Sequence, residues 1–426
     1  MSIHKRLLSA AFAAALSFSL CVSVSASQPG LGNFTYSDIY SAGQFGDVRG
    51  TEWFAQYVED AVNYGFFQGR SGSAFSPGGL LTFGEAVTLA ARLRSIYYTG
   101  AADFPASKPF YTVYADYALN NKIIESAGNY SAPATRLQFA ELIFRALPPE
   151  VFTEINVIPD YCICDVMSGT AFGEAVYALY RSGILTGSDR YGTFYPYSNI
   201  TRAEACAVAV RLADPGFREI TVLPEQLPAE VIYERSTDAV VMIETFGVDD
   251  KSIRTGSGFF ISESGYIVTN LHVIENAARA AVTLYNGSVY PVRGVHATSE
   301  KYNLAILSID SDTGGWSYLN LGDSDLIEEG NPVYSIGSPR ELINTMSEGI
   351  ISTTSRIVSG ETLIQFTAPI SFGSGGSPLL NKLGQVIGVA SSSFSYGQNL
   401  NLAVPVNRVK ELKPGKLVTL ESLLHK

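Results

Sequence analysis

Two different spacings of apolar residues divide the chain into two halves. Between residues 36 and 215, apolar positions recur with the period of amphipathic helices, and glycine-containing turns separate the predicted helices. From residue 231 onward, short β-branched runs alternate with glycine turns instead. We therefore predict a multidomain protein with a helical first half and an all-β sandwich or barrel in its second half. The predicted strands lie near residues 240–243, 258–261, 266–269, 281–284, 289–292, 304–307, 332–336, 349–352, 363–366, 386–389 and 402–404.

The helical half contains one unit repeated three times, at about residues 36–95, 105–148 and 156–215. Each unit is predicted to be a helix, a turn, a loop and a second helix. The second helices follow Thr82, Thr135 and Thr201, whose hydroxyls suit the N-cap position. We align residues 45–48 of the first copy with residues 158–160 of the third.

This unit resembles the surface-layer homology (SLH) repeat. The resemblance implies an α-helical three-repeat bundle that holds the protein non-covalently on a bacterial cell-wall polysaccharide. In that family a Thr-Arg-Ala-Glu stretch lines the sugar groove, which here corresponds to Thr201, Arg202 and Glu204, with Arg136 in the second copy. The first copy has Phe83 where the arginine should be. A guanidinium suits a carboxylate-bearing sugar; the alternative is that Arg202 only pairs with a neighbouring side chain.

The second half carries two motifs that point to acyl-transfer chemistry. The first motif covers residues 256–261 and 265–274 and includes His272, which follows a predicted strand. The second covers residues 373–379, which read Gly-Ser-Gly-Gly-Ser-Pro-Leu. Over about residues 231–410 these motifs resemble trypsin-like serine proteases of the high-temperature-requirement (HtrA) type. The resemblance implies a double β-barrel with His272 as catalytic base and Asn303 in the position of the orienting acid. It also implies an oxyanion hole formed by the main-chain N–H groups of Gly373 and Gly375.

The acid position departs from the family pattern, because relatives have an aspartate where this chain has Asn303. An amide can orient the imidazole, but it cannot stabilise the imidazolium by charge, and it can favour the wrong tautomer. In a triad of this type the change costs on the order of 10⁴ in kcat. Asp310 lies too far along the same strand to take the place of the missing carboxylate.

Two alignments of the 373–379 turn with relatives give different residues at the nucleophile position. Counting back from Pro378 places Gly375 where relatives have the serine, and a glycine offers no nucleophile. The rival register makes Ser374 the nucleophile and adds one residue before Pro378. Spacing favours Gly375, while the conformational freedom of glycine keeps Ser374 open.

The specificity pocket of relatives maps to Phe394, Asn401 and Ala403, with no acidic residue at its base. We therefore expect a preference for small or medium apolar side chains. Relatives often carry a C-terminal PDZ domain, and none is expected here. Residues 216–230 are predicted to be a linker, and residues 231–426 the protease domain.

The net charge limits the classes of partner, and the N-terminal segment indicates where the protein is located. The formal net charge of −11 argues against nucleic acid as the main partner. Lys5 and Arg6 precede an apolar run over residues 7–20, and small residues end the segment at 24–26. This pattern is typical of a signal peptide over residues 1–26. We therefore expect an exported protein, associated with the bacterial cell wall and without a transmembrane span after cleavage.

No metal or nucleotide motif is present in the sequence, so we expect no cofactor. Three cysteines follow the predicted cleavage site: Cys162, Cys164 and Cys206. Cys206 fits a helical core position. One disulfide involving Cys162 or Cys164 is compatible with the spacing, but its pairing does not follow from the sequence.

Three functions are consistent with these residues. The two departures at triad positions favour a wall-anchored protease-fold protein that is inactive or strongly impaired and binds peptide. The alternative is an active serine endopeptidase that uses His272 and Ser374, with Asn303 orienting the base. The second alternative is a purely structural cell-envelope protein.

Overall fold

The computed structural model of the protein describes residues 28–167, 169–310, 315–338, 342–391 and 400–424. The predicted signal segment and Phe394 lie outside the described residues. Within these ranges, no helix is both long and apolar enough to cross a lipid bilayer.

The first half forms paired helices around one apolar core, as the periodicity predicts. The first helix of the first repeat contacts the last helix of the third, so the repeats form a closed bundle. The helices are α1 (Ala55–Asn63), α2 (Phe83–Thr99), α3 (Thr112–Asn120), α4 (Arg136–Ala146), α5 (Ala171–Arg181) and α6 (Arg202–Ala213). Short 3-10 helices cover Leu31–Asn33, Pro149–Phe152 and Pro215–Phe217.

The three predicted N-caps are confirmed. Thr82, Thr135 and Thr201 each accept a hydrogen bond from the main-chain N–H three residues later. The residue at that position returns a side-chain oxygen to the N–H of the cap, which completes a capping box in each repeat.

The residues before these caps meet at a pseudo-threefold axis. Leu81 N–H donates to the carbonyl of Ile200 at 3.0 Å, Ile200 N–H to Ala134 at 3.0 Å, and Ala134 N–H to Leu81 at 2.8 Å. Each repeat therefore satisfies a buried main-chain group of the next, and the ring closes only when all three repeats are present.

The alignment of the third repeat needs one correction. Asp47 of the first repeat and Asp165 of the third occupy equivalent positions. Each carboxylate accepts two main-chain N–H groups of its own repeat: Phe75 and Ser76 at 2.8 and 2.7 Å, and Phe194 and Tyr195 at 3.0 and 2.6 Å. The counterpart of residues 45–48 is therefore 163–166, and the predicted alignment with 158–160 is wrong. Asp160 instead forms an ion pair with Arg181 at the surface.

The second half forms two closed antiparallel barrels with the same connectivity, and this confirms the double-barrel prediction. The first barrel has the order β1-β2-β3-β6-β5-β4: β1 (Val240–Phe246), β2 (Ser252–Phe260), β3 (Tyr266–Asn270), β4 (Arg279–Thr283), β5 (Val289–Ser299) and β6 (Leu304–Ile309). The second has the order β7-β8-β9-β12-β11-β10: β7 (Pro332–Gly337), β8 (Thr345–Val358), β9 (Glu361–Phe366), β10 (Pro378–Leu380), β11 (Val386–Ser391) and β12 (Asn401–Pro405). The pattern did not predict β10, because three residues are too few to show an alternation.

One apolar cluster joins the two barrels. It contains Phe259 and Val268 from the first barrel and Tyr334 and Val389 from the second. The helices of this half are α7 (Ala229–Ser236), α8 (Leu271–Ile274) and α9 (Asn407–Glu411), with 3-10 turns at Thr237–Ala239 and Glu421–Leu423. The shared cluster brings the His272 region of the first barrel against the 373–379 turn of the second.

The predicted linker is held at both ends. Glu219 N–H donates to the carbonyl of Gly183 in the bundle at 3.0 Å, while Leu227 N–H donates to Lys382 in the second barrel at 2.9 Å. Further on, Arg235 of α7 forms an ion pair with Asp189 of the third repeat at 2.8 Å. The third repeat is therefore packed against the barrels.

Candidate active site

Strand pairing brings His272 and Asn303 together. β3 pairs with β6 so that Asn270 lies opposite Leu304. His272 follows β3 on the single turn α8, and Asn303 immediately precedes β6 in a left-handed conformation with φ 52°. Asparagine is among the few residues that adopt this conformation readily. The structure therefore places Asn303 beside the imidazole, where the acid of a triad would lie.

The orientation of the Asn303 amide follows from its contact with the main chain. Its Oδ1 accepts the main-chain N–H of His272 at 2.9 Å. With Oδ1 held there, Nδ2 lies 2.8 Å from His272 Nδ1, while the distance from Oδ1 to Nδ1 is 3.2 Å. The reversed amide would direct its NH₂ at another N–H donor.

This orientation determines the histidine tautomer. The amide NH₂ of Asn303 donates to Nδ1, so Nδ1 must present its lone pair. The proton of the neutral imidazole is then on Nε2, the atom that must accept a proton in general-base catalysis. Burial lowers the pKa of His272, the charge of Arg254 lowers it further, and the charge of Glu275 raises it. The net lowering favours the neutral ring at neutral pH.

Main-chain hydrogen bonds determine the register of the nucleophile turn. Gly376 N–H donates to the carbonyl of Ala390 at 2.8 Å, and Ala390 N–H donates to Ser377 at 2.8 Å. These bonds continue the β10–β11 ladder, in which Pro378 lies opposite Val389. The ladder fixes residues 376–378 against β11, and this is the register that the prediction for Gly375 assumes.

Gly376 must be glycine at this point of the turn. Its φ is 89°, and a Cβ there would lie 2.1 Å from the main-chain oxygen of Ser257 and 2.4 Å from Oγ1 of Thr269. Gly373 is also left-handed, with φ 92°. Gly375 lies between these two positions and is not among the left-handed glycines of the described chain.

Ser374 is turned into the protein. It is 4% exposed, and its Oγ accepts a hydrogen bond from the main-chain N–H of Ser371 at 3.3 Å. Its carbonyl accepts from the N–H of Ser377 at 3.1 Å and from Ser377 Oγ at 2.6 Å. In a trans peptide the C=O and the next N–H point in opposite directions, so the Gly375 N–H points away from the buried Ser377.

Ser257 supports the same turn from the first barrel. Its Oγ donates to the carbonyl of Gly373 at 2.8 Å and accepts the N–H of Ser338 at 2.9 Å. Its main-chain N–H donates to the carbonyl of Gly375 at 2.8 Å. The 256–261 motif includes Ser257 but predicts no role for it, and no role is predicted for Ser377. The sequence signal for Ser257 is a small polar residue between Gly256 and Gly258.

The predicted sugar-binding residues lie where α4 and α6 begin. Arg202 is 4% exposed; its Nε donates to the carbonyl of Phe75 at 3.0 Å and its Nη2 to Gln68 at 2.6 Å. Arg202 therefore ties the third repeat to the first and presents little surface. The hydroxyl of Thr201 accepts the main-chain N–H of Glu204 in its capping box.

Arg136 repeats this arrangement one position around the bundle. Its Nε donates to the carbonyl of Phe194 at 2.6 Å, and it forms an ion pair with Glu204. Arg136 and Glu204 line a cavity of about 290 Å³ together with Trp53, which is 60% exposed. The side chain of Arg136 is 8% exposed and that of Glu204 is 28% exposed. A role of the predicted residues in binding sugar stays a prediction, and Trp53, which was not among them, is the exposed side chain beside them at this cavity.

Comparison with known proteins identifies both halves. Residues 256–389 match the trypsin-like peptidase domain. The second half is a trypsin-like domain of the HtrA type. Residues 44–87 and 165–206 match the S-layer homology domain, within the first and third repeats. The second range begins at Asp165, in agreement with the corrected alignment.

Three similar curated proteins are serine proteases by name. They are "Serine protease HTRA1B" of Danio rerio (35% identical over 193 residues, 42% of this chain and 39% of that protein), "Probable periplasmic serine endoprotease DegP-like" of Chlamydia trachomatis (40% over 144 residues, 33% and 28%) and "Putative serine protease HhoA" of Synechocystis (33% over 165 residues, 37% and 42%). The chain therefore spans at most about two fifths of the length of these relatives.

Two of the predicted pocket residues of the trypsin-like domain are buried in β12. Asn401 is 4% exposed, and its Nδ2 donates to the carbonyl of Ala368 at 2.8 Å. Ala403 is fully buried. The expected preference for apolar side chains stays a prediction.

Proposed function

We propose that the trypsin-like domain of this protein is inactive or strongly impaired as a protease and binds peptide instead. The observation that carries this proposal is the contact of 2.8 Å between Asn303 Nδ2 and His272 Nδ1. It favours the Nε2–H tautomer, which cannot take a proton from a nucleophile. A supporting observation is the β10–β11 register, which agrees with an alignment that has Gly375, a residue without a side chain, at the nucleophile position.

The active alternative requires Ser374 to reach His272. In the structure the Ser374 hydroxyl accepts from a main-chain N–H of its own turn, and its carbonyl is held by Ser377. Moving Ser374 into the position of residue 375 would break these bonds and shift a turn that the ladder to β11 holds in place. The geometry therefore favours the impaired protease over the active one.

A fluorophosphonate probe tests this proposal, because it reacts only with an activated serine. We expect no adduct on the parent protein by mass spectrometry. The double variant Gly375→Ser/Asn303→Asp should gain an adduct at residue 375, while Gly375→Ser alone should react far more slowly. The Asn-to-Asp difference in such triads is on the order of 10⁴. An adduct on Ser374 of the parent that disappears in His272→Ala would establish the active alternative.

The peptide-binding part of the proposal is tested separately. Saturable binding of a peptide library by the parent protein is expected. A folded protein that binds no member of the library would support the purely structural alternative.

We further propose that the protein is exported and anchored to the cell wall through its SLH domains, with wall polysaccharide as the partner. The matches in the first and third repeats support this proposal. Co-sedimentation with purified wall polysaccharide tests it. We expect Trp53→Ala to weaken binding at unchanged melting temperature, because this side chain is 60% exposed. Arg136→Ala should weaken binding and also lower the melting temperature, since its buried guanidinium bonds to the third repeat. Wild-type binding by folded Trp53→Ala would refute the predicted groove.

A further inference from the structure

We propose that the turn at residues 373–376, together with His272, binds the free carboxylate at the C-terminus of a peptide. This inference rests on the proposed peptide-binding function and names the chemical group that is recognised. The same two elements would otherwise form the catalytic centre of the trypsin-like domain. In this protein both elements present N–H donors, and N–H donors bind an anion.

The first donor is the Gly375 N–H. The Ser374 carbonyl of the same peptide unit is held by the N–H and hydroxyl of Ser377, so this N–H points away from the buried side of the turn. The carbonyls of Gly373 and Gly375 are both bound by Ser257, which keeps these acceptors directed into the protein. Main-chain N–H groups in such a turn form a concavity for anions, a known way to capture a terminal carboxylate.

The second donor is Nε2–H of His272. In a working protease this atom must present a lone pair to the nucleophile, and a carboxylate oxygen placed there is repelled. The Asn303 amide makes Nε2 a hydrogen-bond donor in place of an acceptor, because the amide donates to Nδ1 and leaves the ring proton on Nε2. A hydrogen bond from this proton to a carboxylate is charge-assisted and stronger than one to a neutral carbonyl.

The two donors belong to adjoining elements. Gly376 lies against the end of β3, where an added Cβ would be 3.2 Å from the main-chain nitrogen of Asn270. The carbonyl of Gly375 lies beside Gly256, which in turn contacts Val273, the residue after His272. The segment before His272 therefore contacts the turn directly, while the segment after it packs on Gly256, which also lies beside the turn. One planar carboxylate is the right kind of group to bridge His272 and the turn.

Glycine at position 375 is part of this preference. A serine there would place a hydroxyl between the imidazole and the turn, where its oxygen would accept the Nε2 proton in place of the ligand. Of the charged groups that act on His272, Arg254 is favourable to an anion and Glu275 is unfavourable. Selectivity for the carboxylate must therefore come from the directed N–H donors.

The test compares two matched pools of short peptides with Ala, Val or Leu at the C-terminus. The pools are identical except that one carries free carboxylates and the other carboxamides. The purified full chain is immobilised, and retained peptides are quantified by mass spectrometry. We expect the free acids to be enriched about tenfold or more, the effect of one hydrogen bond to a charged group. His272→Ala and Gly375→Ser should each reduce this preference.

Controls separate loss of the site from loss of the fold. His296→Ala removes the other histidine of the barrels, which lies on β5 and contacts Ser308 of β6. This variant should retain the preference for free acids. Melting temperatures of all variants are compared with that of the parent. Equal retention of acids and amides would overturn the carboxylate inference and leave peptide binding intact. Retention of neither pool would overturn both, and an unchanged preference in folded His272→Ala would exclude His272 as a donor.

Discussion

Replacing Asn303 with aspartate should move the proton of His272 from Nε2 to Nδ1 and raise the pKa of the ring. In the parent protein, Oδ1 accepts the main-chain N–H of His272 at 2.9 Å and Nδ2 donates to Nδ1 at 2.8 Å. An aspartate keeps the first contact and replaces the second donor with an acceptor. Nδ1 must then carry the proton, and Nε2 regains the lone pair of a general base.

The size of the pKa change follows from the distance. A carboxylate oxygen at about 3 Å from an imidazolium is within the range in which an opposite charge shifts a pKa by roughly 1 to 3 units. Each unit corresponds to about 1.4 kcal/mol. We expect the lower half of this range, because burial already disfavours the charged ring and would also penalise the new carboxylate.

Nitrogen NMR of histidine-labelled protein measures both quantities, since the ¹⁵N shifts distinguish protonated from unprotonated ring nitrogens. The chain has only four histidines, and His272→Ala identifies the relevant signals. Glu275→Gln is the matched control: it removes a nearby charge that raises the pKa of His272 without touching Nδ1, so the pKa should fall slightly and the tautomer should persist. A proton on Nδ1 in the parent protein, or an unchanged pKa in Asn303→Asp, would refute the orientation assigned to the Asn303 amide.

Three further predictions concern stability. Gly376→Ala should lower the free energy of unfolding, measured with denaturant, by about 2–5 kcal/mol, because a Cβ would lie 2.1 Å from a main-chain oxygen of β2. The control is Gly360→Ala, which has a similar φ of 86° but open space around it and should cost only about 1–2 kcal/mol. Arg202→Ala should lower the free energy of unfolding by about 2–4 kcal/mol, because two hydrogen bonds to the first repeat are lost. The control Arg190→Ala removes an exposed side chain and should change this free energy by no more than about 0.5 kcal/mol. Equal melting temperatures of the two variants would contradict the structural role of Arg202. Because the pKa of His272 is lowered in the folded state, the unfolded chain takes up this proton first as the pH falls below about 6.5. Stability should then fall by at most about 1.4 kcal/mol per pH unit until the folded pKa is reached, and a parent-like pH slope in His272→Ala would contradict this.

The sequence alone determined the two architectures and most of their elements. The helical period, the three capping threonines and the alternation of β-branched runs are local properties, and each depends on residues within a few positions. The motifs around His272 and Pro378 likewise established the trypsin-like fold, because they are contiguous. The departure at Asn303 was visible for the same reason.

Only the tertiary structure decided what these residues contact. The register at Gly375 depends on hydrogen bonds to β11, and the tautomer of His272 depends on how a main-chain N–H orients the amide of Asn303 across the β3–β6 pair. The correspondence of Asp165 with Asp47, and the burial of Arg202 against the first repeat, also depend on partners far away in the sequence. Residue types reveal which hydrogen bonds a side chain can make, and the packing of distant segments selects which of them it does make.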